Sequence, residues 1–305
     1  MNLHLSQSDG FLRVAAASPQ IRVADVEGNA EVALAAVREA AECGVRALVL
    51  PELNLCGYTA ADLFHNRTLL HACEAALVHI LDETRELPIV FTIGLPVAVA
   101  ENIYNCAAVC CAGELLGLTA KKYLPNYGEF YERRWFAPAP ADPVWVEFAG
   151  QGPVPLGSGL VYRCCDEGAE DLVLGVEACE DLWVPAPPST EMALAGATVI
   201  LNRRPRMRLS VRQTIAAVSS PIRVRACTAP MPMRMRARAS PRPIWSLQAR
   251  TLSTKTAPSS PPPNCLPAIW PSPMSILTVW LPSAVARRRG RARTMRRRHD
   301  RCIFV

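Results

Sequence analysis

A break in composition after Asn202 limits what this chain can fold into. Residues 1–202 hold 11 Lys and Arg against 26 Asp and Glu, a net charge of −15. Residues 203–305 hold 22 basic residues against a single acid, Asp300, a net charge of +21. The whole-chain value of +6 at pH 7 describes neither part, so each is read separately. Half of the 305 residues are hydrophobic, which allows a sizeable core and excludes disorder throughout. The N-terminus lacks a basic stretch followed by an apolar one, so no secretory signal is expected and a cytoplasmic enzyme is.

The acidic part patterns as α/β. Phe11–Ala17, Arg46–Leu50, Ile89–Val97, Tyr104–Cys111, Leu115–Ala120, Asp171–Val176 and Ala197–Asn202 are short runs rich in Val, Ile and Leu, hence strands, with a hairpin at Gly113. Ala30–Cys43 and Ala60–Glu86 have apolar residues at helical spacing, and Ser189 or Thr190 would cap a third helix to Ala195. Sheets covered by helices are the expected architecture. The 12 cysteines include no Cys-x-x-Cys, so most are expected to be buried reduced thiols. His71 and His79 stand eight residues apart on a helix, about 12 Å along its axis, too far to share a metal easily, and no metal site is expected.

Three reactive residues sit where strands end: Glu52 after Ala-Leu-Val-Leu-Pro, Lys121 after Leu-Gly-Leu-Thr-Ala, and Cys179 after Leu-Gly-Val-Glu-Ala. Lys121 and Lys122 are the only lysines among the first 202 residues. A carboxylate beside a thiol can take its proton, and an ammonium can stabilise the oxyanion that forms when sulfur attacks a carbonyl. The carboxylic acid can then protonate a departing amine. Spacing alone leaves open a surface glutamate and a core cysteine.

Pro51-Glu52-Leu53 with Gly57-Tyr58, Lys121-Lys122-Tyr123-Leu124-Pro125, and Glu177-Ala178-Cys179-Glu180-Asp181 together resemble the nitrilase, or carbon-nitrogen hydrolase, superfamily. The run from Tyr123 to Phe136, with Val184-Pro185, Pro187-Pro188-Ser189 and residues 194–199, is similar to the glutaminase domain of bacterial glutamine-dependent NAD+ synthetases. The resemblance covers residues 10–202. It implies a four-layer αββα sandwich, incomplete here. It also implies a triad: Glu52 as general base and acid, Lys121 as oxyanion stabiliser, Cys179 as nucleophile. Lys-x-Tyr-Leu-Pro selects Lys121 over Lys122. Glu129, eight residues after Lys121, matches a supporting carboxylate. Tyr127 matches a glutamine-contacting tyrosine, and Tyr58 is read as either a pocket wall or a core tyrosine. The implied substrate is L-glutamine, with no cofactor for its hydrolysis; ATP and magnesium would belong only to a synthetase domain absent from this chain. A homo-oligomer is implied for the intact family.

The resemblance stops at Asn202. Residues 203–305 contain 21 arginines and 14 prolines but one lysine, one glycine and no tyrosine. That composition is what G+C-rich codons give when read out of frame. Permitted codons for residues 202–221, with one T restored after the first base following the Asn202 codon, encode Asn-Leu-Ser-Ala-Ser-Asn-Ala-Thr-Val-Gly-Lys-Ala-Asp-Tyr-Arg-Arg-Ser-Leu-Val-Ala. This is the expected family continuation, and the same shift makes Ala237–Ile244 encode Gly-Glu-Gly-Glu-Ser-Thr-Thr-Asp. Residues 203–305 are therefore expected to be an out-of-frame tail of low order. Two rivals stay open: a stand-alone amidase for another small amide, and a basic nucleic-acid-binding remnant whose arginines contact phosphates without sequence specificity. Thr256–Ala286 lacks charge but carries eight prolines, so no membrane span is expected. Resequencing the gene across the codons for Asn202–Arg204 is expected to find one extra base. An unchanged reading from independent template would remove a sequencing error and leave a genuine deletion in the gene as the source of the shift.

Overall fold

In the computed structural model, the described residues are 11–164 and 172–203, together with the backbone of four strands at 222–226, 274–280, 294–296 and 302–304. The chain begins with β1 (Phe11–Ala17), α1 (Val26–Glu42), β2 (Ala47–Val49), a 3-10 turn at Ala61–His65, and α2 (Arg67–Glu83). There follow β3 (Val90–Val99), β4 (Asn102–Cys111), β5 (Glu114–Ala120), β6 (Val144–Glu147), β7 (Pro153–Gly157) and β8 (Val161–Arg163). The order closes with β9 (Val173–Ala178), α3 (Pro188–Leu194), β10 (Val199–Arg203), β11 (Ile222–Ala226), β12 (Met274–Trp280), β13 (Thr294–Arg296) and β14 (Cys302–Phe304).

Local chemistry sets the helix limits. The Asp25 carboxylate accepts from the Gly28 amide at 3.2 Å and so caps α1, which places the start several residues before Ala30. Val26, Ala30, Ala33, Leu34, Val37 and Ala40 then form one buried face. The stretch expected to be helical from Ala60 to Glu86 is divided. Asn66 has extended backbone and its side chain accepts from the Thr68 amide at 2.8 Å, which starts α2 afresh after the 3-10 turn. The third helix is capped by neither Ser189 nor Thr190: Pro188 occupies its first turn, where a missing amide hydrogen costs nothing.

Two sheets form, in the strand orders β12-β1-β2-β3-β4-β5-β7-β6 and β11-β10-β9-β8-β14-β13. A large apolar cluster joins α1 and α2 to the outer face of the first sheet through residues such as Leu34, Val37, Leu77, Ile80, Phe91 and Ile93. A second cluster lies between the sheets, with Val14, Val49 and Val109 meeting Tyr162, Leu174, Val176 and Leu201. A third packs Met192 of α3 against Val161, Val173 and Ile200. Helix, sheet, sheet and helix are the four layers expected. Strands β6, β7 and β8 were not anticipated from sequence, because their Pro- and Gly-rich surroundings hide the alternation. Composition gave no reason to expect strands after Arg203, yet β12 pairs antiparallel with β1, β11 parallel with β10, and β14 antiparallel with β8. The rest of the expected low-order tail lies outside the described residues.

A close approach between strand and loop fixes the position of Glu52. A Cβ on Gly94 in β3 would lie 2.4 Å from the Leu53 amide nitrogen and 2.7 Å from the Pro51 carbonyl oxygen. The loop bearing Glu52 is pressed onto β3 here. The Gly94 amide donates to Asn54 Oδ1 at 2.6 Å and its carbonyl accepts from Leu55 at 3.1 Å. Leu53 reverses the chain at φ 50°. Backbone atoms cannot yield as a flexible side chain can. Gly94→Ala should therefore lower stability by about 1–3 kcal/mol, measured as a reduced denaturant midpoint at unchanged slope; a wild-type midpoint would show that the loop moves freely.

Candidate active site

Strand direction brings the reactive residues to one place. Strand β2 runs parallel to β3, β3 antiparallel to β4, and β4 antiparallel to β5. Thus β2 and β5 point the same way, and Glu52 and Lys121 leave the same edge of the first sheet. Cys179 follows the last residue of β9 in the second sheet. It opens a 3-10 turn, Cys179–Leu182, at φ 43°, a left-handed backbone that a non-glycine residue adopts at some cost. The cost is characteristic of sites where a side chain must be presented at a sharp turn.

Lys121 is the centre of the site. Its side chain is fully buried, and its Nζ donates to Glu52 Oε1 at 2.8 Å and to Glu132 Oε1 at 2.6 Å. Burial works against its charge, but Glu52 and then Glu132 outweigh that penalty and hold its pKa above the ordinary lysine value. Cys179 lies close enough to add to the same effect. Glu52 Oε1 also accepts from Asn105 Nδ2 at 2.6 Å, whereas its buried Oε2 has no hydrogen-bond partner. One oxygen is thus held and the other is left able to take a proton. Asn105 serves twice, since its backbone carbonyl accepts from the Lys121 amide at 2.9 Å.

The second carboxylate differs from the sequence expectation. Glu129 is exposed, and the residue that grips Lys121 is Glu132. The chain turns back between them: the Glu132 amide donates to the Pro125 carbonyl at 3.2 Å, and the 3-10 turn Glu132–Arg134 follows. Counting residues from the lysine could not anticipate that reversal. Glu132 Oε1 also accepts from the Tyr58 hydroxyl at 2.5 Å, so half-buried Tyr58 braces a carboxylate. Its ring meets Phe130 edge-on at 6.5 Å. Tyr127 stands at the exposed rim, where its hydroxyl lies 2.9 Å from both oxygens of Glu180, the residue after Cys179. Lys122 points elsewhere, with Nζ 3.5 Å from Glu191. Asn105 and Glu132 were missed in the sequence. Only Glu132 had a signal, as the second of two glutamates in the segment after Lys121.

Among the described residues Cys56, Cys73, Cys106 and Cys110 are buried thiols outside any disulfide, no group of three His, Cys, Asp or Glu could hold a metal, and no helix is long and apolar enough to cross a membrane. His79 pairs with Glu31 at the surface, 2.9 Å apart.

Two carboxylates facing one ammonium in a buried site leave an excess negative charge. Burial, and then Glu52, push Glu132 above the ordinary glutamate range, against the pull of Lys121. The folded protein therefore binds a proton at Glu132 more tightly than the unfolded chain. The stability this adds is complete below about pH 4 and is lost as pH rises toward neutrality. Glu132→Gln should flatten the pH dependence of the melting temperature between pH 4.5 and 8; an identical slope in both proteins would show that Glu132 titrates normally.

A profile of the carbon-nitrogen hydrolase family matches residues 13–240, beyond the compositional boundary at Asn202. The chain is 40% identical over 202 residues to glutamine-dependent NAD(+) synthetase of Mycobacterium tuberculosis, covering 66% of this chain and 29% of that protein. It is 32% identical over 192 residues to the Aquifex aeolicus enzyme of the same name, covering 63% and 30%. The solved structure of a glutamine-dependent NAD(+) synthetase from Cytophaga hutchinsonii superposes with a TM-score of 0.55 at 30% identity, over 64% of this chain and 30% of that one. This chain thus spans about three tenths of the length of the relatives it matches.

Proposed function

The chain belongs to the carbon-nitrogen hydrolase family, and we propose that residues 10–202 form the glutamine amidohydrolase part of a glutamine-dependent NAD+ synthetase. The observation that carries this reading is the fully buried Lys121 ammonium, 2.8 Å from Glu52 and beside Cys179. Relatives named for glutamine dependence favour glutamine over other small amides.

In the proposed reaction, Glu52 Oε2 takes the Cys179 proton while sulfur attacks the side-chain amide carbon of L-glutamine. Lys121 stabilises the oxyanion. Collapse breaks the C–N bond, Glu52 returns its proton to the leaving nitrogen, and ammonia departs from a thioester. Glu52 then takes a proton from water as its oxygen attacks the thioester carbon. The C–S bond breaks, the proton returns to sulfur, and glutamate leaves. Glu132 and Asn105 hold Lys121 and Glu52 in place, and Tyr127 contacts the substrate from the rim. No cofactor enters these steps. Ammonia would serve the ATP- and magnesium-dependent amidation of deamido-NAD in a separate synthetase domain, within a cytoplasmic homo-oligomer.

We also propose that the reading frame is lost after Asn202. Arg203 supports this. It ends β10 with no exposed surface, its Nη1 donates to the Cys106 carbonyl at 3.0 Å, and its Nε and Nη2 have no hydrogen-bond partner. Burial pulls its pKa below the usual arginine value. A leucine, which the restored frame encodes, has no polar atoms to leave unpaired there.

A chloroketone analogue of glutamine should alkylate the full chain once, at Cys179 by peptide mass mapping, with protection by L-glutamine. Cys179→Ala should abolish labelling and lower any ammonia release at least about a thousand-fold. Labelling at another cysteine, or labelling that glutamine leaves unprotected, would overturn the assignment.

A further inference from the structure

The turn that presents Cys179 and the loop that carries Lys121 belong to different sheets, so something must fix one against the other. Asp181 lies where it can. It is two residues past Cys179, with 2% of its surface exposed. Its Oδ1 accepts from the backbone amides of Lys122 at 3.1 Å and Tyr123 at 2.8 Å, the two residues after Lys121. Its Oδ2 accepts from the amide of Ala178 at 3.2 Å, the residue before Cys179. One buried carboxylate therefore ties both segments together with three hydrogen bonds and satisfies three backbone donors, two past the end of β5 and one at the last residue of β9.

We propose that Asp181 is a positioning residue, locking the lysine loop to the cysteine turn so that ammonium and sulfur keep a fixed separation. The role rests on the reading of Lys121 and Cys179 as reacting groups. It explains how the left-handed backbone at Cys179 is maintained, since the Ala178 amide is held from the far side of the turn. A small loss of register here would matter, because catalytic efficiency falls steeply with misplacement on the ångström scale.

The charges around Asp181 are Lys121, Glu177 and Arg203. Burial raises its pKa to about 7, while the Tyr123 amide, Lys121 and the Ala178 amide oppose the rise. Asparagine has almost the same shape but offers an amide NH2 in place of one oxygen. Whichever way it sits, a donor faces a donor, so Asp181→Asn breaks one arm of the clamp without opening a cavity. Glutamate keeps the charge but lengthens the arm.

The test compares Asp181→Asn and Asp181→Glu with the unaltered full chain, using two readouts. Iodoacetamide, which is not a substrate, reports the alkylation rate of Cys179 against pH by peptide mass mapping. Ammonia release from L-glutamine reports kcat and KM. Asp181→Asn is expected to move the Cys179 alkylation profile to higher pH and to lower kcat about 10- to 100-fold with KM little changed. Asp181→Glu should not rescue either. An unchanged alkylation profile in a folded Asp181→Asn protein would overturn the proposal. So would a variant whose other buried cysteines alkylate as fast as Cys179, since its effect would then be general unfolding. If the unaltered chain releases no ammonia but the profile still moves, the positioning role stands and the glutaminase reading fails.

Discussion

A single ammonium shared by two carboxylates in an enclosed site organises this protein. Lys121 reaches Glu52 and Glu132 at 2.8 and 2.6 Å with its side chain wholly enclosed. A lone charge could not persist there, since desolvating an unpaired ion costs several kcal/mol. The lysine therefore depends on both glutamates, and they depend on it. Glu52 needs a backbone reversal at Leu53 and a glycine at position 94 to reach the site. Glu132 needs the turn back to Pro125 and the Tyr58 hydroxyl. The four-layer fold matters to function chiefly because it sends β2, β5 and β9 toward this enclosed point.

The same interaction suits the chemistry proposed for the site. A glutamate bonded only to lysine would be a weak proton acceptor through that oxygen. Asn105 and Lys121 occupy Oε1 together and leave Oε2 unbonded, aimed by the constraints on its twin. The lysine, kept charged, is a fixed positive end for any oxygen that becomes negative nearby. Such preorganised charge is effective because no solvent must rearrange as the reaction proceeds.

Much of this was legible in the sequence, for a physical reason. Runs such as Ala-Leu-Val-Leu before Pro51-Glu52 and Leu-Gly-Val-Glu-Ala before Cys179 mark buried strands by composition alone, and reactive residues at strand ends follow from them. The scarcity of lysine made Lys121 conspicuous. Glu132 was missed because loops fold back on themselves, and residue counting from Lys121 to Glu129 assumes a path the chain does not take. Strands β6 to β8 were missed because Pro153 and Pro155, with Gly150, Gly152 and Gly157, read as turns, although both prolines lie in the part of β7 that pairs with β6 alone, before β5 joins at Leu156, where a missing amide hydrogen is tolerated. Asn105 gave no signal: an asparagine within a strand acquires a role only through the neighbour that the sheet places opposite it.

Arg203 carries a thermal consequence. The hydration of a charged group becomes less favourable as temperature rises, so the penalty for withdrawing a guanidinium from water shrinks on warming. Apolar burial, meanwhile, weakens on cooling. With two of its nitrogens unpartnered at the end of β10, Arg203 makes its greatest demand on the fold where the surrounding core is least able to meet it. Cooling should therefore weaken the seam between β10 and its neighbours more in this chain than in one with an apolar residue at position 203.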